Sequence, residues 1–227
     1  MRQKALPRGL YAVTDRRLIP HSSFEAAVRD ALVGGARTIQ YRDKQSSGPC
    51  QLEEAILVRN LCREFGATFI VNDDVDLALN SDADGVHIGR TDGCCRNIRS
   101  KAGDDFLIGV SCYDSLERAT KAQDETADYV AFGSAFPSIT KPDAVRAPMS
   151  LFSDAIAKLD IPIVAIGGIN SANGKLLVDA GCTALAVISS LFGAPDIRQE
   201  ALAFARLFGQ DGRIENLVLN TATEDIS

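Results

Sequence analysis

The chain has 227 residues, of which 46% are hydrophobic and 24% charged, and these proportions are those of an ordinary globular domain. They exclude disordered, collagen-like and coiled-coil proteins, and no apolar run reaches the roughly 18 residues that a membrane-spanning helix needs. The formal net charge of −6 argues against a general nucleic-acid or membrane-surface binder, and the N-terminus lacks the apolar segment of a signal peptide. We therefore expect a cytoplasmic protein whose partners are small molecules, with no nucleic acid and no membrane among them.

The six cysteines include no CxxC pair, and no histidine lies near them at the spacing of zinc ligands. We therefore expect reduced thiols. Cys62, Cys112 and Cys182 lie in apolar patterns, which predicts that their side chains are buried. Cys94 and Cys95 are predicted to be adjacent in a loop.

Short apolar runs alternate along the chain with longer amphipathic stretches, which predicts alternating strands and helices. The runs cover residues 9–15, 38–43, 68–73, 85–89, 107–112, 129–134, 162–168 and 184–190, and helical patterns cover 23–35, 51–66, 115–124, 173–181 and 198–208. Nearly continuous apolar runs are typical of parallel strands that are buried on both faces.

Eight such units in about 200 residues favour a (β/α)8 barrel, an α/β fold, as a single domain over residues 1–209. Residues 210–227 would form a weakly ordered or docking tail. An open doubly wound sheet is the rival fold, but it usually carries a GxGxxG or P-loop turn, and neither motif occurs here.

The second run ends in QYRDK, which concentrates charge at the end of a predicted strand. Gln40, Arg42 and Lys44 alternate with Tyr41 and Asp43, so the first three share one side of an extended chain. The active site of such a barrel forms at the carboxyl ends of its strands. Two cations and an amide at that opening favour an anionic ligand, and a salt-bridged rim is the alternative.

Carboxylates follow the next two runs. Asn72, Asp73 and Asp74 close the third run, and the fourth run leads to Asp92. Mg²⁺ commonly takes one or two carboxylates together with substrate phosphates and water. Beside the cations of the second run, these residues predict a Mg²⁺ site and a diphosphate ligand, although Asp74 could instead cap a helix.

The remaining runs end in groups that suit a phosphate. Ser111 closes the fifth run with a hydroxyl, and Lys141 lies in a glycine- and hydroxyl-rich loop of the kind that closes over a charged substrate. Gly168 follows the seventh run and Ser189 the eighth, where these barrels commonly bind phosphate through backbone N–H groups. His87 lies inside the fourth run, and we expect a hydrogen-bonded barrel residue rather than a catalyst.

Six segments together resemble the thiamine phosphate synthase family in chain order, and the likeness extends from about residue 9 to 208. They are QYRDK (40–44), FIVNDDVDLALNSDADGVHIGRTD (69–92), IGVS (108–111), DYVAFGSAFPSITK (128–141), IPIVAIGGIN (161–170) and AVIS (186–189). The resemblance implies a transferase that condenses 4-amino-2-methyl-5-hydroxymethylpyrimidine diphosphate with hydroxyethyl-methylthiazole phosphate, or its carboxylated form. Diphosphate would leave first, and the thiazole nitrogen would then attack the pyrimidine methylene cation.

The resemblance also implies roles for particular residues and a possible homodimer. Residues of the second to sixth strand ends would bind the pyrimidine diphosphate: Gln40, Tyr41, Arg42, Asp43, Lys44, Asn72, Ser111 and Lys141. Of these, Arg42, Lys44, Ser111 and Lys141 would be catalytic, and Asp73 and Asp92 would hold Mg²⁺ as the cofactor. The thiazole phosphate would be bound by Ser138, Ile139, Thr140, Gly168, Ile188 and Ser189.

Two other functions are open at this stage. A thiazole tautomerase on the same barrel would keep the thiazole phosphate site but would need neither a diphosphate site nor Mg²⁺. A non-catalytic protein that binds thiamine phosphate would use the same residues as the synthase. The joint presence of Arg42, Lys44, Asp73, Asp92 and Lys141 favours the synthase over the tautomerase.

Overall fold

Eight parallel strands close into a barrel in the order of the sequence, which confirms the predicted (β/α)8 fold. The computed structural model describes residues 5–46, 48–90, 92–137 and 145–209. The strands are β1 (Gly9–Val13), β2 (Thr38–Tyr41), β3 (Thr68–Asn72), β4 (Gly85–Ile88), β5 (Leu107–Tyr113), β6 (Tyr129–Phe132), β7 (Ile163–Ile166) and β8 (Ala184–Val187). The helices are α1 (Phe24–Val33), α2 (Pro49–Phe65), α3 (Val75–Asn80), α4 (Cys95–Ala102), α5 (Leu116–Asp124), α6 (Met149–Lys158), α7 (Gly174–Asp179), α8 (Ser189–Phe192) and α9 (Ile197–Leu207).

The apolar side chains form two layers because successive side chains of a strand point to opposite faces. One layer lies between the strands and the surrounding helices and contains most of the core. The other fills the barrel interior and consists of Leu6, Tyr11, Val13, Ile70, Leu107, Tyr129, Ala131, Val164, Ala184 and Ala186. Every residue of β1, β2, β4, β6 and β8 is buried, which explains why these runs lack a polar alternation.

The structure confirms all eight predicted strands, and the polar residues that close each run lie at or just after the carboxyl end of its strand. Those polar residues therefore lie at the rim of the barrel. Asp74 caps α3 by accepting a hydrogen bond of 2.8 Å from the Leu77 amide, as the capping alternative predicted. None of the helices within the described ranges is long and apolar enough to cross a membrane. The predicted tail, 210–227, lies outside the described residues.

The cysteine predictions are confirmed in part. Cys62, Cys112 and Cys182 are buried, as their apolar patterns indicated. The placement of Cys95 in a loop is wrong, because Cys95 is the first residue of α4 and is buried against the barrel. The preceding residue, Cys94, has extended backbone angles and lies at the N-cap of that helix.

Arg99 joins three consecutive units of the barrel on its outer side. Its guanidinium group donates to the Asp128 carboxylate at 2.5 Å, to the Thr126 carbonyl at 3.0 Å and to the Gly103 carbonyl at 3.1 Å. The same Asp128 carboxylate accepts the Ile108 amide at 2.7 Å. The side chain of Arg99 therefore holds the end of α4, the start of β5 and the turn before β6 in a fixed relation.

We expect the substitution Arg99→Ala to lower the free energy of unfolding by about 2 kcal/mol, because several charge-assisted hydrogen bonds are lost together. Arg96→Ala is the matched control, since Arg96 is an exposed residue of the same helix. Its effect should stay within about 0.5 kcal/mol. Urea unfolding of both variants measures the difference, and equal losses would contradict this role of Arg99.

Candidate functional site at the barrel mouth

A cavity of about 150 Å³ opens at the carboxyl ends of the strands. Its floor is the polar interior of the barrel, and its apolar wall comes mainly from β6, β7 and β8. The lining residues are Tyr11, Val13, Asp15, Arg17, Gln40, Arg42, Asn72, His87, Ser111, Ala131, Val164, Ile166, Ala186 and Ile188. Five residues of the predicted site line this cavity, namely Gln40, Arg42, Asn72, Ser111 and Ile188.

The backbone of Arg42 is held by a buried hydroxyl of the neighbouring strand end. Thr14 Oγ1 accepts the Arg42 amide at 2.8 Å and donates to the Arg42 carbonyl at 3.2 Å. The guanidinium group lies 3.5 Å from the buried carboxylate of Asp15. Asp15 in turn binds Arg17 at 2.6 Å, and this hydrogen bond, against the effect of burial, lowers the pKa of the carboxyl group. Two arginines and one carboxylate therefore give this side of the cavity a positive excess.

The predicted metal ligands lie next to each other at the ends of β3 and β4. Asp73 interacts with the carboxylate of Asp92 and with the side chain of Asn72, and Lys44 Nζ lies 3.5 Å from Asp73 Oδ2. Burial and the neighbouring Asp92 carboxylate raise the pKa of Asp73 above its usual value, although Lys44 acts in the opposite direction. Asp92 is oriented by the Gly89 amide, which donates to its carboxylate at 2.7 Å.

Two carboxylates in contact are unfavourable unless a proton or a cation lies between them. The arrangement of Asp73 and Asp92 therefore fits a divalent cation, and two carboxylates are as many as Mg²⁺ usually takes from a protein. Within the described ranges, no group of three or more His, Cys, Asp or Glu side chains forms a closed metal cage. A cation here would leave coordination positions for other oxygen ligands.

The structure separates Tyr41 and Asp43 from the other residues of the QYRDK segment. Tyr41 is buried on the outer side of the barrel, where its hydroxyl donates to Glu54 at 3.0 Å. The Asp43 carboxylate accepts the Gln45 amide at 2.7 Å and binds Arg16 at 3.2 Å. The side chains predicted to contact a diphosphate are therefore occupied in shaping the loop between β2 and α2. The alternation of the strand is the physical reason, since Tyr41 and Asp43 face away from the mouth.

Below the cavity, His87 is part of a hydrogen-bonded chain in the barrel interior, as the sequence predicted. Its Nδ1 lies 3.2 Å from the Tyr129 hydroxyl, and its Nε2 lies 2.9 Å from Ser111 Oγ. Tyr129 also contacts the Tyr11 hydroxyl at 2.9 Å, and Gln40 donates to Tyr11 at 2.8 Å. Burial lowers the pKa of His87 to about 4, against a smaller opposite effect of Asp92, so the imidazole is neutral at pH 7.

The phosphate site predicted after β7 and β8 is described only in part. Gly167 and Gly168 have positive φ angles of 97° and 64°, and a Cβ on Gly168 would lie 2.3 Å from the Pro137 carbonyl oxygen. This glycine therefore permits close contact between the β7 turn and the loop that follows β6. Ser189 begins α8, and Ile188 is its N-cap. Ser138, Ile139, Thr140 and Lys141 lie outside the described residues.

Several residues of the site were not found from the sequence. Thr14 and Asp15 close the first apolar run, so the same inspection of polar residues at strand ends would have found them. Tyr11 and Tyr129 gave no such signal, since an aromatic residue within an apolar strand usually belongs to the core. Their hydroxyl groups meet across 118 positions of sequence, which only the closed barrel brings together.

Solved structures and curated proteins resemble this chain over most of its length. The fold is that of a (β/α)8 barrel, and charged side chains surround its mouth. Thiamine phosphate pyrophosphorylase from Pyrococcus furiosus superposes with a TM-score of 0.82 at 38% identity, over 88% of this chain and 95% of that one. Thiamine-phosphate synthase of Chromobacterium violaceum is 51% identical over 201 residues, 88% of this chain and 96% of its own.

A third relative, thiamine-phosphate synthase of Thiobacillus denitrificans, is 46% identical over 208 residues, 92% of this chain and 98% of its own. The family model described as thiamine monophosphate synthase matches residues 10–191. The chain therefore belongs to the thiamine monophosphate synthase family, and the resemblance seen in the sequence is confirmed.

We expect Thr14→Val to lower the free energy of unfolding by about 2 kcal/mol, because the buried Arg42 amide and carbonyl lose their partner. Thr14→Ser keeps the hydroxyl and loses one methyl group, so its cost should not exceed about 1 kcal/mol. Urea unfolding of the two variants tests the assignment. A smaller loss for valine than for serine would mean that packing, not the hydroxyl, makes Thr14 important.

Proposed function

We propose that this protein is a thiamine-phosphate synthase, a transferase that joins the pyrimidine diphosphate to the thiazole phosphate and releases diphosphate. One observation carries the proposal: Arg42 at the cavity and the adjacent Lys44, Asp73 and Asp92 lie together at the mouth, as binding of a diphosphate with its cation would require. The chain that carries this site is 44–51% identical to curated thiamine-phosphate synthases.

The pyrimidine diphosphate would bind with its ring in the cavity and its diphosphate at the rim. Val164, Ile166 and Ala186 provide an apolar wall for a flat ring, and Gln40 and Asn72 provide amide groups at its edge. Arg42 would bind phosphate oxygens through its guanidinium group, which has the geometry to donate two parallel hydrogen bonds. Lys44, 62% exposed and on the same rim, would add a mobile positive charge.

Asp73 and Asp92 would hold Mg²⁺, which is the cofactor that we assign to this site. Their contact and the raised pKa of Asp73 support the assignment, because a cation removes the repulsion between the two carboxylates. When bound, such an ion neutralises charge on a diphosphate and so makes it a better leaving group.

The thiazole phosphate would bind at the opposite side of the mouth, after β7 and β8. Gly168 supports this assignment because its positive φ and the absence of a Cβ let backbone groups approach an anion. The side-chain amide of Asn173 donates to the Gly168 carbonyl at 3.0 Å, and the Ser190 hydroxyl donates to the Ile169 carbonyl at 2.5 Å. These bonds would hold the turn in the conformation that presents its N–H groups, with Ile188 and Ser189 beside it.

The reaction requires that the protein position the two substrates and compensate the charge of the departing diphosphate. It does not require a nucleophilic side chain. Arg42, Lys44 and Ser111 would stabilise the negative charge that collects on the departing diphosphate. The apolar wall of the cavity would keep water from the electron-poor methylene carbon, so that the thiazole nitrogen is the nucleophile that reaches it. A homodimer and a cytoplasmic location stay predictions from the sequence.

The first measurement is formation of thiamine phosphate, detected as thiochrome fluorescence, from purified protein, both substrates and Mg²⁺. We expect product, its loss when EDTA removes the metal, and its return when Mg²⁺ is added in excess. Asp92→Asn should weaken the dependence on Mg²⁺ and lower the rate. Binding of the thiazole phosphate without any product would instead support the tautomerase or the non-catalytic binding protein.

We expect Arg42→Ala to raise the KM for the pyrimidine diphosphate by about 10- to 100-fold, the loss of one hydrogen bond to a charged group. The KM for the thiazole phosphate should change much less, since that ligand would bind across the mouth. Arg59→Ala is the control, because Arg59 lies on α2 and pairs with Asp82 on the outside of the barrel. Steady-state kinetics with each substrate varied in turn measure the split, and equal changes in both KM values would refute the partition of the site.

A further inference from the structure

A continuous chain of polar side chains crosses the interior of the barrel and ends at the cavity. It runs from Gln40 to Tyr11, then to Tyr129, to His87 and finally to Ser111, with contacts of 2.8, 2.9, 3.2 and 2.9 Å. The first four side chains are at least 92% buried, and only Ser111 is partly exposed. Buried polar groups are unfavourable unless each is satisfied, so the complete pairing of this chain is a structural requirement.

One glycine of the sequence provides the space that these interior side chains need. A Cβ on Gly109 of β5 would lie 2.0 Å from the Tyr129 ring, so only glycine lets that ring occupy the barrel interior. The ring of His87 stacks on Tyr129 with centroids 5.5 Å apart and planes 29° apart. The ring of Tyr11 lies 6.2 Å from Tyr129 by the same measure. Packing therefore fixes where each hydroxyl and each ring nitrogen lies.

The number of available hydrogens limits the directions that the hydrogen bonds of this interior chain can take. Four contacts use four hydrogens, whereas the five side chains bring five: an amide hydrogen of Gln40, three hydroxyl hydrogens and the single N–H of a neutral imidazole. One hydrogen is therefore left over. Since Gln40 donates to Tyr11, the other three contacts allow three arrangements: two inward ones with the imidazole hydrogen on Nδ1, and one outward one with that hydrogen on Nε2.

In the two inward arrangements, Ser111 donates to His87 and His87 Nδ1 donates to Tyr129, and the unused hydrogen is that of the Tyr11 or of the Tyr129 hydroxyl. Both hydroxyls are buried, and the one with the unused hydrogen already accepts two hydrogen bonds from its neighbours in either arrangement, so that hydrogen has no partner among these groups. In the outward direction, Tyr11 donates to Tyr129, Tyr129 to His87 Nδ1, and His87 Nε2 to Ser111. The unused hydrogen then belongs to Ser111, which borders the cavity. The outward direction leaves no buried donor unsatisfied.

We propose that this interior chain holds His87 as the Nε2–H tautomer and thereby makes Ser111 a hydrogen-bond donor toward an anionic oxygen in the cavity. Ser111 accepts from His87, so its own hydroxyl hydrogen is available to donate into the cavity that Ser111 lines. His87, Tyr129 and Tyr11 are positioning residues, because they act through Ser111. Only the identity of the acceptor as an oxygen of the diphosphate rests on the proposed function.

The tautomer can be measured without any turnover. The chain has 2 histidines, and His21 has a side chain that is 77% exposed, so the variant His21→Gln leaves His87 as the single imidazole. Long-range ¹H–¹⁵N correlation spectra of the labelled full chain at pH 7 distinguish a protonated from an unprotonated ring nitrogen. We expect a protonated Nε2 and an unprotonated Nδ1. A protonated Nδ1, or an even mixture of the two tautomers, would overturn the proposal.

The variant Tyr129→Phe removes the donor to Nδ1 and keeps the ring. We expect the Nε2–H preference to be lost and kcat with the pyrimidine diphosphate to fall about tenfold, as for other groups that orient a functional side chain. The KM for the thiazole phosphate should not move. Tyr113→Phe is the matched control. Tyr113 is a tyrosine at the same end of the barrel, it is 42% exposed, and it is not part of the interior hydrogen-bonded chain. It should change neither the spectrum nor kcat.

The two experiments separate the possible failures. An unchanged tautomer and unchanged kinetics in Tyr129→Phe would refute the positioning role. A protein that makes no thiamine phosphate but shows the Nε2–H tautomer would refute the proposed function and leave the hydrogen-bond direction intact. A loss of folded protein in Tyr129→Phe is detected by its unfolding curve, and the tautomer in His21→Gln then decides the proposal alone.

Discussion

Closure of the barrel decides where charge can be placed in this molecule. When eight parallel strands close on themselves, all of their carboxyl ends meet around one opening, and no sheet edge is left exposed. Residues that are far apart in the chain therefore become neighbours whenever they end a strand. Lys44 and Asp73 follow adjacent strands for this reason, and Asp15 reaches Arg42 in the same way. The register of the strands thus places opposite charges in contact before any ligand is present.

The same closure divides each strand end into two roles. Side chains on the inner face reach the cavity, and those on the outer face meet the helices, because successive residues alternate. Gln40 and Arg42 take the inner role, whereas Tyr41 and Asp43 bind Glu54, Arg16 and the following loop. The outer group restrains the segment that carries Arg42 and Lys44. Such support matters at a charged rim, because positive side chains compensate a developing negative charge well only when they are held in position before the reaction.

How well a feature could be predicted from the sequence depends on how far apart in the chain the residues that determine it lie. The strands and the polar residues after them are local features, because a buried run and the residues that close it are adjacent in the chain. The prediction of the strands is confirmed for all eight. The burial of Cys95 was missed because the start of α4 carries no capping side chain that would have marked it. The outward orientation of Tyr41 and Asp43 follows from the alternation of side chains along an extended segment, which the family resemblance did not take into account. The contact of Tyr11 with Tyr129 depends on the whole barrel and has no local signal.

The interior of the barrel shows why stability and function are difficult to separate here. An apolar filling would avoid the desolvation of two hydroxyl groups and an imidazole, and the layers of other barrels of this class are filled mainly by branched apolar residues. This chain instead places Tyr11, Tyr129 and His87 there and uses Gly109 to make the space. Since hydrogen-bonded rings within a packed core have few alternative positions, the arrangement keeps its geometry when the rim moves. Ser111 is where that rigid interior meets the cavity, so the orientation of its hydroxyl group is set by the core and not by the loops.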